Sequence, residues 1–295
     1  MRVITPSSAL LTAAALALGF ASAPAADSLA MRVSQSVKQP IEATAKAFAA
    51  SHPGFEFSVN PCGTAASVKA VGTGDAALGA AVRPLKEDEK TTYPDLVLKP
   101  YCFDAVVLVV HAENPVANLS TKQVQDLCTG KVANWKEVGG KDEAVVGISR
   151  TEANAIVEFF ETKFGLEHHV EGAGKAQTME FHAKGSKDSG TAKMAVTGTH
   201  KDALAQVIAN PGAFSYVPLG DASVMQAKGT VKIVSLDGVA VTEANIRNKS
   251  YPLARTVFLV TKGEPQGVLG EFVAMLLGPE GQKLTVAGGN VALAP

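Results

Sequence analysis

Cys62 stands in the string Asn60-Pro61-Cys62-Gly63-Thr64, just ahead of a stretch whose periodicity predicts a helix over 64–71. A thiol at a helix N-terminus is drawn toward its thiolate by the helix dipole, which suits it to a soft ligand or a metal. The ordinary alternative is a small buried residue or one half of a disulfide. The chain has three cysteines, Cys62, Cys102 and Cys128, so any intramolecular bridge leaves one over. Cys102 with Cys128 is the preferred pair; bridging requires Cα atoms within about 7 Å, which sequence spacing does not establish. The six histidines (His52, His111, His168, His169, His182 and His200) show no compact metal-binding spacing, and His168-His169 reads as a solvated loop pair. No metal or cofactor is expected. The sequence has no G-x-S-x-G elbow, no H-E-x-x-H pair and no P-loop, so an enzyme is not expected either.

The elements that must position these side chains alternate along the chain. Ala30–Val37 begins as a strand, and Pro40–Ser51 is a helix with Ile41, Ala45 and Phe48 at helical spacing. Strand patterns follow at 55–59, 77–81, 101–110, 145–149, 213–218, 231–235 and 255–261. Helical patterns fall at 86–93, 120–129 (with Ser120 as N-cap), 152–164, 204–210, 267–277 and 280–287. This order predicts mostly parallel sheets covered by helices. The polar, glycine-rich stretch 172–200 resists assignment and reads as a functional loop or an unrecognised element.

The ends and the charge bound the setting. Arg2 is the only charge before Asp27, Ala9–Phe20 is apolar, and small residues follow at Ala21-Ser22-Ala23 and Ala23-Pro24-Ala25. That pattern predicts a cleavable secretory signal over 1–26, hence a periplasmic or extracellular protein in an oxidising compartment. The run is shorter than the roughly 20 residues a membrane span needs. Taking Arg2 from the 27 basic residues, against 28 acidic ones, leaves a net charge of about −2, and no basic patch speaks for nucleic acid.

Several strings together resemble the short phosphate-binding-type periplasmic solute-binding proteins of ABC transporters. They include His52-Pro53-Gly54, Gly63 to Ala70, Arg83-Pro84-Leu85-Lys86, His111 to Val116, Gly130 to Gly140, Asn210 to Val217, Ser250 to Arg255 and Gly278 to Gln282. Their order and spacing run from about residue 30 to 290. The resemblance implies an α/β, two-lobed binding-protein fold of type II-like form. Each lobe would be a mixed, mostly parallel sheet flanked by helices, and two crossing strands near 102–106 and 252–257 would join them. Lobe one would combine 27–105 with 255–295, and lobe two would be 106–254. It further implies hinge closure on a small-molecule or anion ligand, most readily phosphate or a related oxyanion, and a membrane transporter permease as partner. The protein is expected to act as a monomer.

Phosphate-binding members of that family use helix N-termini, hydroxyls and one arginine. The physics is general, since orphan N–H groups attract an anion, hydroxyls add donors, and arginine offers a planar fork. The matching positions here are Ser34 and Ser36 in the first loop, Thr64 and Ala65 in the second, Arg83 in the third, and Arg150 with Asn154 in the fourth. Thr64 could equally be a plain N-cap, and Arg83 could be an ion pair within lobe one. Asp104, on the first crossing strand, would accept a ligand proton, orient an arginine or serve as a hinge residue. The loops also depart from the family. Val82 stands where serine is common, and Arg150-Thr151-Glu152-Ala153-Asn154-Ala155-Ile156 replaces the pattern of Arg, two residues and Gly-Ser-Gly-Thr. Fewer hydroxyls weaken a phosphate cage, so a less polar or larger organic ligand, or a sensor or accessory role, stands as the alternative.

Overall fold

The computed structural model describes residues 28–151, 155–186 and 192–294. The expected signal segment and Asn154 lie outside them. The first third of the chain runs β1 (Ser28–Val33), α1 (Lys38–Ala49), β2 (Glu56–Pro61), α2 (Thr64–Thr73), β3 (Leu78–Ala81), α3 (Glu87–Thr92) and β4 (Leu96–His111). Next come β5 (Asn118–Leu119), α4 (Thr121–Thr129), β6 (Val146–Arg150), α5 (Ala155–Phe164), β7 (Leu166–Glu171), β8 (Thr178–Ala183) and β9 (Lys193–Thr197). The remainder is α6 (His200–Ala209), β10 (Ala213–Pro218), α7 (Leu219–Ala227), β11 (Val231–Leu236), α8 (Glu243–Arg247), β12 (Ala254–Lys262), α9 (Gly267–Leu277), α10 (Pro279–Ala287) and β13 (Val291–Ala292).

One strand organises the molecule. β4 is sixteen residues long, and Ala105–Val110 is buried on both faces, which is why its sequence is an unbroken apolar run rather than an alternating one. Nine of its first ten residues pair with β12, the register shifting at Tyr101, and Val106–Val110 pair with β10, giving the path β2-β1-β3-β12-β4-β10-β6-β9-β8-β7. β2-β1-β3 is parallel on one side of β4, and β10-β6-β9 is parallel on the other. Antiparallel strands join and extend these two parallel groups, so the α/β fold is mixed.

Two lobes have separate cores. In lobe one, Met31, Ile41, Phe48, Tyr101, Cys102, Val257 and Phe272 pack together, with α1 against α9 and α10; Val68 and Val71 of α2 form a second apolar layer with Ala81 and Val260. In lobe two, Val107, Leu127, Cys128, Trp135, Phe160, Phe181 and Tyr216 share one core. Trp135 and Tyr216 combine packing with a hydrogen bond, as buried Trp and Tyr usually do. Trp135 Nε1 donates to the Gly212 carbonyl at 2.8 Å, and the Tyr216 hydroxyl lies 2.7 Å from Ser149 Oγ.

Two expectations are corrected, and one open stretch is resolved. Cys102 and Cys128 are free thiols in different cores, on β4 and α4, so the preferred disulfide does not form. Burial pushes both thiols well above their ordinary pKa. His168 and His169 sit on β7 rather than in a loop, and His168 Nδ1 meets Glu161 Oε1 at 2.6 Å. The unassigned stretch 172–200 supplies β8 and β9, which extend the lobe-two sheet, and it ends in α6. Among the described residues, no helix is long and apolar enough to cross a membrane.

Candidate functional site

A chamber of about 320 Å³ lies where the two lobes meet. Lobe one contributes Ser34, Gln35 and Ser36, from the turn after β1, and Pro61, Cys62 and Gly63, from the entry to α2. Lobe two contributes Arg150 at the end of β6, Ile156 in the first turn of α5, and Gly198, Thr199 and His200 at the start of α6. Arg255, near the start of the crossing strand β12, closes the floor.

Local sequence explains the two helix entries. Gly63 is extended as the residue that caps α2, and it puts no side chain into the chamber it lines. Thr199 caps α6 with a box: its hydroxyl accepts from the Asp202 N–H at 3.1 Å, and the Asp202 carboxylate accepts from the Thr199 N–H at 3.2 Å. Both helices therefore begin at the chamber wall, where orphan N–H groups and the dipole favour an anion.

The electrostatics are one-sided. Arg150 is 3 % exposed, and Nη2 donates to the Gly198 carbonyl at 3.0 Å. Its Nε and Nη1 have no partner among the described residues. Burial holds its pKa below the usual guanidinium value, with Tyr216, Asp202 and Asp221 only partly offsetting the lost hydration. Arg255 is also buried, but its Nε and Nη2 both donate to Asp104 Oδ2, at 3.0 and 2.7 Å, across the β4–β12 register. Its guanidinium lies 5.1 Å from the Phe159 ring centroid, and Nη1 remains unpartnered among the described residues. No Asp or Glu lines this chamber among those residues. Two buried guanidiniums, two helix N-termini and serine hydroxyls converge, and such a set binds an anion.

The residues expected from sequence divide unevenly. Ser34, Ser36 and Arg150 line the chamber, and Ser34 Oγ lies 3.3 Å from Ser36 Oγ. Asp104 does not line it; it orients Arg255 from behind. Thr64 is buried as the first residue of α2, with Gly63 as the cap, and its hydroxyl accepts from the Val82 N–H at 3.2 Å, bracing the neighbouring loop. Ala65 is exposed away from the chamber. Arg83 is occupied within lobe one: its two terminal nitrogens meet Glu89 Oε2 and Oε1 at 2.8 Å each, and it lines no part of the chamber. Cys62 is half-buried in the wall. Burial pushes its thiol pKa up, with Arg32 opposing, so it is a poorer thiolate than its helix entry suggests.

Sequence reasoning missed Arg255, Thr199 and His200. Arg255 stands within a resembling string on the second crossing strand, where sequence gives it no role. The T-x-x-D box of Thr199 and Asp202 was visible, at the end of the unassigned stretch. No group of three or more His, Cys, Asp and Glu that could hold a metal occurs among the described residues.

Comparison with known proteins adds the following. Residues 19–280 match the model of the PBP superfamily domain. A Bacillus subtilis protein named phosphate-binding protein PstS is 24 % identical over 262 residues, covering 89 % of this chain and 79 % of that one. A Clostridium perfringens structure, assigned to a phosphate ABC transporter as its substrate-binding protein and solved with bound phosphate, is 28 % identical. It superposes with a TM-score of 0.72, covering 90 % of this chain and 99 % of its own. A Vibrio cholerae phosphate transport receptor, 23 % identical with a TM-score of 0.70 and coverage of 89 % and 99 %, shares the fold.

Proposed function

The chain belongs to the PBP superfamily, and from that premise we propose that it captures phosphate or a closely related tetrahedral oxyanion between its lobes and presents it to an ABC-type permease. The observation that carries this reading is Arg150, a buried guanidinium with two unpartnered N–H-bearing nitrogens beside two helix N-termini, in a chamber without carboxylates among the described residues. A buried charge without a partner is costly, and an oxyanion supplies what the fold withholds. The ligands named for the B. subtilis and C. perfringens relatives support the same choice.

Each group then has a task. Arg150 and Arg255 donate in the plane of their guanidiniums, Ser34 and Ser36 donate hydroxyls, and the first N–H groups of α2 and α6 supply partial positive charge. The two lobes hold different donors, so a bound anion favours the closed arrangement by its greater affinity for that state. The expected secretory leader puts this work outside the cytoplasm, where a permease receives the ligand, and a single chain suffices for it. Titration calorimetry of the mature chain with inorganic phosphate is the direct test. Saturable heat with one site per chain is expected, and the absence of heat at millimolar phosphate would sink the reading.

A further inference from the structure

The oxyanion chamber opens onto a second one of about 230 Å³, and the two share Gln35, Ser36 and His200. The chemistry changes across that threshold. The first chamber presents guanidiniums and no carboxylate, whereas the second collects Asp104, Asp221 and Asn290. Both bonds from Arg255 end on Asp104 Oδ2, so Oδ1 keeps acceptor capacity. Asn290, 5 % exposed, lines only the second chamber, and its Oδ1 has no partner among the described residues. His200, 9 % exposed, is held by Asp221 at Nδ1, 3.0 Å away, and its Nε2 is likewise unpartnered.

The charges of the second chamber largely cancel. Asp104 is paired with Arg255, and Glu42 with Lys38. Asp221 faces His200 and the neighbouring Lys201 lines the same wall. A balanced, hydrogen-bonding wall suits neutral hydroxyls better than a second ion. The size agrees. At about 30 Å³ per water, the first chamber alone has room for about ten waters, far more than a tetrahedral ion of five heavy atoms displaces. An inorganic ion seated on Arg150 would leave the second chamber and the Asn290 acceptor unmet.

We propose, resting on the oxyanion reading above, that the cleft takes a phosphate monoester with a short hydroxylated substituent. The phosphoryl group sits in the first chamber on Arg150 and the helix N-termini. The hydroxyls sit in the second, donating to Asp104 and Asn290 and meeting His200 at the threshold. Calorimetry of the full-length mature chain with inorganic phosphate, glycerol 3-phosphate and free glycerol tests this. Glycerol 3-phosphate is expected to bind about tenfold tighter than phosphate, the effect of one added buried hydrogen bond, and glycerol alone not to bind. Asn290→Leu should abolish the preference and leave phosphate affinity unchanged, which also shows that the variant is folded. Should Asn290→Leu not fold, Gln39→Trp, which fills the same chamber from an exposed position, is read in the same way. If phosphate binds and the ester binds equally or more weakly, this proposal is overturned and the oxyanion reading stands. If neither binds, both fall; if the preference survives the substitution, the assignment to the second chamber falls.

Discussion

On the proposed function, Arg150 sets stability against affinity. Its guanidinium is buried with one bond to Gly198 and two nitrogens unpartnered among the described residues, so the unliganded protein carries a poorly compensated charge. Arg150→Met keeps the bulk and removes the charge. Phosphate affinity should fall roughly ten- to hundredfold, the loss of one or two charge-assisted hydrogen bonds. The unliganded Tm should rise by about 2–4 °C, the shift that about 1 kcal/mol produces in a chain of this size. A lower Tm with unchanged affinity would mark Arg150 as scaffold. Cys62 offers an independent probe of the same wall, because Cys102 and Cys128 are sealed in the cores. A thiol reagent should modify one cysteine per native chain and all three in denaturant, and phosphate should slow the native reaction. Reaction of two or more thiols in the folded protein, or no effect of phosphate, would contradict the placement of Cys62.

At the scale of elements, α3 is pinned to the loop after β3 by the Arg83–Glu89 pair, with the Lys86 N–H also donating to Glu89 Oε2 at 2.8 Å. The hydrogen bond from Arg83 holds the Glu89 carboxyl below the usual carboxylate range. Its folded pKa is depressed, so the stabilisation is present above the ordinary glutamate value near ~4.3 and is lost as pH falls through the folded value. Glu89→Gln should therefore lower the Tm at neutral pH and lose the wild type's extra decline below about pH 4. A parallel decline in both proteins would show the pair to be inert. The same pair shows why sequence left the site half-read. β4 was legible because burial on both faces produces an unbroken apolar run, and α4 because Ser120 marks its N-cap. The β8–β9 region was not, because the polar residues and glycines around it (Gly172, Gly174, Gly185, Gly190 and Gly198) obscure the short alternating pattern of Thr178–Ala183. Arg83 and Arg255 look alike in sequence. Only the fold gives the first a carboxylate six residues away and sets the second beside Asp104, 151 residues away, with one nitrogen to spare.

At the scale of the molecule, donors from both lobes surround one chamber, so the proposed function links ligand binding to closure. Solution scattering should show the radius of gyration falling on addition of phosphate in the wild type and staying fixed in Arg150→Met. Equal compaction in both would remove Arg150 from the linkage. The lobes meet backbone to backbone at one seam: a Cβ on Gly289 would stand 2.3 Å from Gly220 Cα. Side chains of any size are excluded there, and the approach of the two lobes on that side is set by main chain alone.

The position of β12 between β3 and β4 also dictates the order in which the protein can come into being. Residues 254–262 are among the last to emerge during synthesis, yet they fill the middle of the lobe-one sheet. Until they arrive, β3 and β4 each present a bare edge, and unpaired edges invite association with other chains. Lobe two, whose strands and core come almost wholly from the intervening chain, can assemble first and hold the second half of β4 in place. A nascent chain cut short before Ala254 is therefore left with a folded half and two sticky strands, the kind of species that export chaperones and quality-control proteases exist to meet.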